Sequence, residues 1–125
     1  MASCVLVGSL RDTAYEAVSN DEGPFSEVEV VYPEDRLRPT GARYSFEIIR
    51  ELDVAAGHVY RLDVGIPHNT FITSTPTATL VVAQESGLDR TSVYRLDADT
   101  GETSAVRRPV SPDDASRVIA EVLGA

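Results

Sequence analysis

Apolar and polar residues alternate with a period of two over much of this chain, the spacing that turns one face of a β-strand to a core and the other to water. Glu27-Val28-Glu29-Val30-Val31-Tyr32 is one such run, and it follows the turn-forming cluster Asn20-Asp21-Glu22-Gly23-Pro24. Arg43 to Arg50 places Tyr44, Phe46 and Ile48 on one face. After a turn at Ala55-Ala56-Gly57, the next segment gathers Tyr60, Leu62 and Val64, so the two segments are expected to form a hairpin. From Thr70 to Ala83 the chain is β-prone, but Pro76 lacks an amide hydrogen, which implies an edge position or a bulge.

Cys4 to Val7 has the composition of a short buried strand, and Asp12 to Ser19 is expected to form a short helix capped by Ser9 or Asp12, giving a β-α-β start. Pro33 to Ala42 is expected to be a loop. Ser92 to Asp97 and Glu102 to Arg107 flank Ala98-Asp99-Thr100-Gly101, where the glycine suits a tight hairpin turn. The segment Val59-Tyr60-Arg61-Leu62-Asp63 recurs as Val93-Tyr94-Arg95-Leu96-Asp97, but the similarity stops there, as expected of two strands with the same packing problem.

The spacing becomes helical only at the end. Ser111 is a capping residue, Pro112 suits a first helical position, and Asp113 and Asp114 favour the positive end of the helix dipole. Ala115, Val118, Ile119, Val122 and Leu123 then form one stripe before Gly124, so the helix is expected to bury that stripe on a sheet. In such a position, truncating Val118 or Ile119 to alanine would cost about 2–4 kcal/mol. Together these elements predict a single α+β domain over residues 1–125. Its sheet is predominantly antiparallel with six to seven strands, curved or barrel-like at the limit, with the C-terminal helix packed on one face and the short N-terminal helix as an option.

Composition narrows the function classes. The 125 residues can bury roughly two-thirds of their unfolded surface in one core, and no apolar run approaches the ~18 residues that span a bilayer. A soluble protein is expected. Met1 to Gly8 lacks a basic leader, which points away from secretion and towards the cytoplasm, or towards a virion for a structural component. Twenty acidic residues face eleven basic ones, all arginine, giving a net charge of −9. A lysine-free acidic chain suits a GC-rich or halophilic source. The same charge repels nucleic acid and anionic membranes and favours a basic protein partner, so neither direct nucleic-acid nor membrane binding is expected.

Chemistry-bearing motifs are sparse. His58, Asp63 and His68 are evenly spaced, but an extended chain would hold them too far apart to share an ion, and Asp97-Ala98-Asp99 resembles a calcium loop that has Arg108 where a glutamate is needed. No metal or cofactor is expected. Cys4, in an apolar run, is expected to be inert, and no nucleophile elbow or phosphate loop is present. The basic islands Arg36, Arg38 and Arg43, and Arg107 and Arg108, are expected to pair locally with Glu34, Asp35 and Glu102.

Three sets of residues remain as candidates. Gly65, Pro67, His68 and Asn69 form the least generic loop and are the first choice for a binding loop. Thr73, Thr75, Thr77 and Thr79 recur with strand period and mark a candidate docking edge. Tyr32, Tyr44, Tyr60 and Tyr94, with His58, would line a ligand pocket in a curved sheet. The leading expectation is a non-enzymatic protein-binding or assembly module, of inhibitor type or a structural component, with a basic partner or a second copy. The alternative is a small-ligand-binding or enzymatic sheet using the tyrosine pocket.

Overall fold

A computed structural model of the chain describes residues 1–31, 36–83, 90–96 and 109–124. Six strands are followed by one helix: β1 (Ala2–Ser19), β2 (Phe25–Val31), β3 (Arg36–Ala55), β4 (Val59–Arg61), β5 (His68–Val82), β6 (Arg90–Leu96) and α1 (Pro112–Leu123). The strands form an open sheet of order β4-β1-β3-β2-β6, with β5 paired to β1. The pairings β1–β4, β1–β5, β2–β3 and β2–β6 are all antiparallel. The protein is thus an α+β fold on a mostly antiparallel sheet. Among the described residues no helix is long and apolar enough to cross a membrane.

Contacts divide the chain into two units. The first comprises Met1–Glu16, Ile48–Glu85 and Val110–Ala125, and the second Ala17–Glu47 and Ser86–Pro109. In the first unit, Val5, Leu10, Val54 and Tyr60 are buried together, with Leu52 and Leu62 packed against them. In the second, Val28 and Val30 are buried on β2. Edge-to-face contacts join Phe25 to Phe46, Phe46 to Tyr94 and Tyr44 to Tyr94, at centroid separations of 4.8, 5.0 and 5.3 Å. The two copies of the repeated pentapeptide fall in different units: Tyr60 sits in the first core and Tyr94 in the aromatic group of the second.

Several expected elements form differently. Asp12 to Ser19 continues β1 instead of forming a helix, so no β-α-β start exists. Its backbone pairs with β5, Asp12 opposite Thr70 and Ala14 opposite His68, and that ladder overrides a weak local helix preference. Residues 36 to 42, expected in a loop, belong to β3, because Arg36, Leu37, Arg38 and Pro39 pair with Val31, Val30, Glu29 and Val28. The β3–β4 hairpin does not form, since β1 takes the required backbone groups. Val5 donates to the His58 carbonyl and accepts from the Gly57 amide, and Ser3 faces Tyr60. The turn at Ala98 to Gly101 and its second strand lie outside the described residues.

The C-terminal helix has the expected ends. Ser111 Oγ accepts from the Asp114 amide, Pro112 opens the helix, and Gly124 closes it at φ 71°. It lies against β5 but buries no residue fully. Val118, Ile119 and Leu123 remain 46, 57 and 49% exposed, so the expected buried stripe is only grazed. Truncating Ile119 to alanine is accordingly expected to cost about 1 kcal/mol or less, below the value for a core residue.

Pro76 occupies the irregularity expected of it. Between Val7↔Ala78 and Ser9↔Ser74 the register of β1 and β5 shifts, and residues 75–77 bulge out. Gly8 lies opposite at φ 79°, where a Cβ would collide with the Pro76 carbonyl oxygen and the Thr77 hydroxyl. Gly8→Ala is therefore expected to lose about 2–3 kcal/mol, from a left-handed backbone and overpacking combined. Gly57→Ala, also at positive φ but with nothing near its Cβ, should lose less, both variants being read from urea unfolding. Equal losses would show that the bulge yields.

Candidate functional site

The most distinctive chemistry in the first unit is a carboxylate on a buried strand face. Leu10, Asp12 and Ala14 follow the period of two that turns β1 inward, and Asp12 has no accessible surface. A charge there is tolerated only if its oxygens are paired. Asp12 Oδ1 receives the Thr70 hydroxyl at 3.2 Å and lies 3.1 Å from His68 Nδ1, while Oδ2 receives Arg50 Nη2 at 3.3 Å. Arg50 Nη2 also donates to the Arg61 carbonyl at 3.1 Å, so the cluster ties β1, β3, β4 and β5.

An open cavity of about 120 Å³ adjoins this cluster. Ala14, Ile49, Leu62 and Ile66 form its apolar walls, and Arg50, Asp63 and His68 supply its polar groups. Asp12 thus holds two of the three polar side chains that face the cavity. A contrasting pair sits at the surface: Arg11 Nε donates to Asp53 Oδ1 at 2.8 Å, and this hydrogen bond lowers the Asp53 carboxyl below its ordinary value. Any stability from that fully exposed carboxylate is present above the ordinary carboxyl range and fades as pH falls through the lowered value, and water screens it heavily.

The structure distributes the expected site residues unevenly. Of the binding loop, His68 opens β5 and reaches both Asp12 and the cavity, whereas Gly65 is exposed at φ 81°. The Pro67 carbonyl accepts from the Tyr15 amide at 2.8 Å, and Asn69 Oδ1 accepts from the Tyr15 hydroxyl at 3.0 Å, so these two anchor the loop to β1. Of the threonine edge, Thr73 and Thr77 turn towards Ser9, at 2.7 Å to its hydroxyl and 3.2 Å to its carbonyl. Thr75 precedes Pro76 in the bulge, and Thr79 faces Val5. The hydroxyls therefore do not form one continuous ladder.

Among the pocket candidates, Tyr60 is core in the first unit, and Tyr44 and Tyr94 meet in the second. Burial, then the nearby Glu27 carboxylate, raises the Tyr94 phenol above its ordinary value. Tyr32 lies outside the described residues. His58 sits in the turn with its Nδ1 3.3 Å from the Ala55 carbonyl and does not line the cavity. Among the described residues no group of three histidine, cysteine or acidic side chains is placed to hold a metal ion. Arg43 Nε donates to the Gly23 carbonyl at 2.8 Å; its companions Arg107 and Arg108, and Glu34, Asp35 and Glu102, lie outside the described residues.

The residues that sequence patterns missed are Asp12, Arg50 and Thr70. Asp12 drew attention as a helix cap, although its place in Leu10-Arg11-Asp12-Thr13-Ala14 puts it in phase with two apolar residues, which is the available signal of a buried charge. Removing its side chain leaves Arg50 without its counter-charge. Asp12→Ala is expected to destabilise the fold by about 3–5 kcal/mol, against about 1 kcal/mol for Thr70→Val, both read from urea unfolding. A loss under about 1 kcal/mol for Asp12→Ala would show the carboxylate to be unimportant to folding.

Comparison of the chain with protein families, with curated proteins and with solved structures finds no match.

Proposed function

We propose that this protein is a non-enzymatic assembly module whose β5 edge receives a strand from a second copy of the chain. The observation that carries this is an edge without charge. Among the described residues β5 pairs with β1 alone, which leaves its other edge with unused backbone donors and acceptors. From Val64 to Gln84 the sequence contains no Asp, Glu, Lys or Arg, in a chain where 25% of residues are charged. Edges that must stay solitary are usually blocked by charges, by proline or by a covering element. Here Pro76 interrupts the middle, and α1 lies against β5 without burying any of its own residues fully.

Apolar exposure follows the same strand. Phe71 and Ile72 are 56 and 57% exposed before the bulge, and Leu80, Val81 and Val82 are 57, 48 and 69% exposed after it. Strand addition would supply main-chain hydrogen bonds and cover part of this surface. A second copy suits the edge better than a basic partner, because a basic partner gains nothing from an uncharged strand. An antiparallel pairing about a two-fold axis presents the same strand on both sides.

Salt separates the two kinds of partner. Copies that each carry −9 repel one another, so self-association should strengthen as salt rises and the Debye length falls to about 3 Å at 1 M. Docking of a basic protein on the acidic surface would weaken instead. Sedimentation velocity is expected to show dimers or larger species that grow with salt, and Ile72→Glu with Val81→Glu should give a monomer with an unchanged circular dichroism spectrum. A wild-type monomer at about 100 μM, a concentration that would populate any complex of micromolar Kd, would overturn the proposal at both salt extremes.

A further inference from the structure

We propose that the cavity bounded by Arg50, Asp63 and His68 binds a small zwitterionic amino acid of about alanine's size. This inference is independent of self-association through β5. Three polar groups around the cavity retain hydrogen-bonding capacity among the described residues. Arg50 commits Nη2 to Asp12 and to the Arg61 carbonyl, which leaves Nη1 without an acceptor. His68 commits Nδ1 to Asp12, so Nε2 on the opposite side of the ring has no partner. The Asp63 carboxylate has neither an ion pair nor a hydrogen-bond donor. Ala14, Ile49, Leu62 and Ile66 complete the lining with hydrocarbon.

The charges select the ligand. Arg50 offers a donor to a carboxylate, but Asp12 already neutralises it, and Asp63 would repel a simple anion from the same cavity. A lone ammonium would satisfy Asp63 and leave Arg50 Nη1 empty. A zwitterion answers both, its carboxylate on Arg50 and its ammonium on Asp63, with no net charge brought in. His68 Nε2 gives a further polar contact, and a short aliphatic side chain fits the apolar wall. Size sets the limit: about 120 Å³ is smaller than the ~150 Å³ cavity that accommodates benzene, so larger side chains would have to protrude through the opening.

The role of Asp12 in this site is positioning. It holds Arg50 and His68 in place and does not itself reach solvent. A weak affinity is expected, because the site is open and the ligand is small, with Kd on the order of millimolar.

The test is a titration of the full-length protein, followed by ¹⁵N and methyl NMR, with L-alanine, propionate and ethylamine hydrochloride as separate probes. The expected result is saturable shifts at Ala14, Ile49 and Ile66 with alanine, and binding at least about tenfold weaker for propionate and ethylamine. Asp63 is exposed and its side chain makes no hydrogen bond or ion pair among the described residues, so Asp63→Asn should keep the wild-type spectrum and bring alanine down to the propionate level. Ile66→Trp, which fills the cavity mouth, should abolish the shifts without affecting sedimentation. No saturable alanine shifts at tens of millimolar, equal binding of alanine and propionate, or an Asp63→Asn protein that binds alanine as wild type does would each overturn the assignment.

Discussion

A carboxylate with no access to water must find its hydrogen bonds within the protein, and meeting that demand organises the first unit. Asp12 draws the guanidinium of Arg50, the imidazole of His68 and the hydroxyl of Thr70 onto two oxygens. Arg50 passes the connection on to the Arg61 carbonyl. Four strands distant in sequence are thereby held in one register, because a one-residue slip of β1 would turn Asp12 to the opposite face and strand all three partners. Hydrophobic burial alone is a weaker guide here, since the core of this unit consists of Val5, Leu10, Val54 and Tyr60 with Leu52 and Leu62 beside them.

Several of the apolar residues that the core does not use lie on β5 and α1. Phe71, Ile72, Leu80, Val81 and Val82 on the strand, and Val118, Ile119 and Leu123 on the helix, all keep about half or more of their surface. The acidic residues lie elsewhere in the chain, and β5 has none. Charge is therefore missing along β5, whose second edge has no strand partner among the described residues. Such a layout is compatible with the proposed pairing of copies along β5.

Local patterns carried much of the architecture. Alternation in Glu27 to Val31, the lost amide at Pro76, and the cap formed by Ser111 and Pro112 each depend on near neighbours, and each took the form they implied, whereas Ile48, in phase with Tyr44 and Phe46, stays 61% exposed. The failures involve long-range partners. Asp12 to Ser19 has a faint helical stripe, but Asp12 to Ala14 pair with residues 68 to 70 and the segment continues as strand. The β3–β4 hairpin looked economical because sequence proximity favours it, yet β1 occupies the position between them. The helix stripe was legible, but its amphipathic pattern does not say whether the surface it meets belongs to the same chain.

The site was legible in part for the same reason. His68 and its neighbours stood out as unusual loop residues, and His68 does reach the cavity, whereas Arg50 and Asp12 acquire their roles only when β1, β3 and β5 are side by side. Tyr60 belongs to one unit and Tyr44 and Tyr94 to the other, which no single-strand pattern reveals. The proposed assembly rests on the β5 edge, and hydrogen exchange at β5 as a function of protein concentration measures that edge itself. If copies add strand to strand, the β5 amides that do not pair with β1 exchange quickly in dilute solution and become protected as concentration rises, while those bonded to β1 stay protected throughout. Fast exchange at that edge at every concentration would contradict assembly through β5.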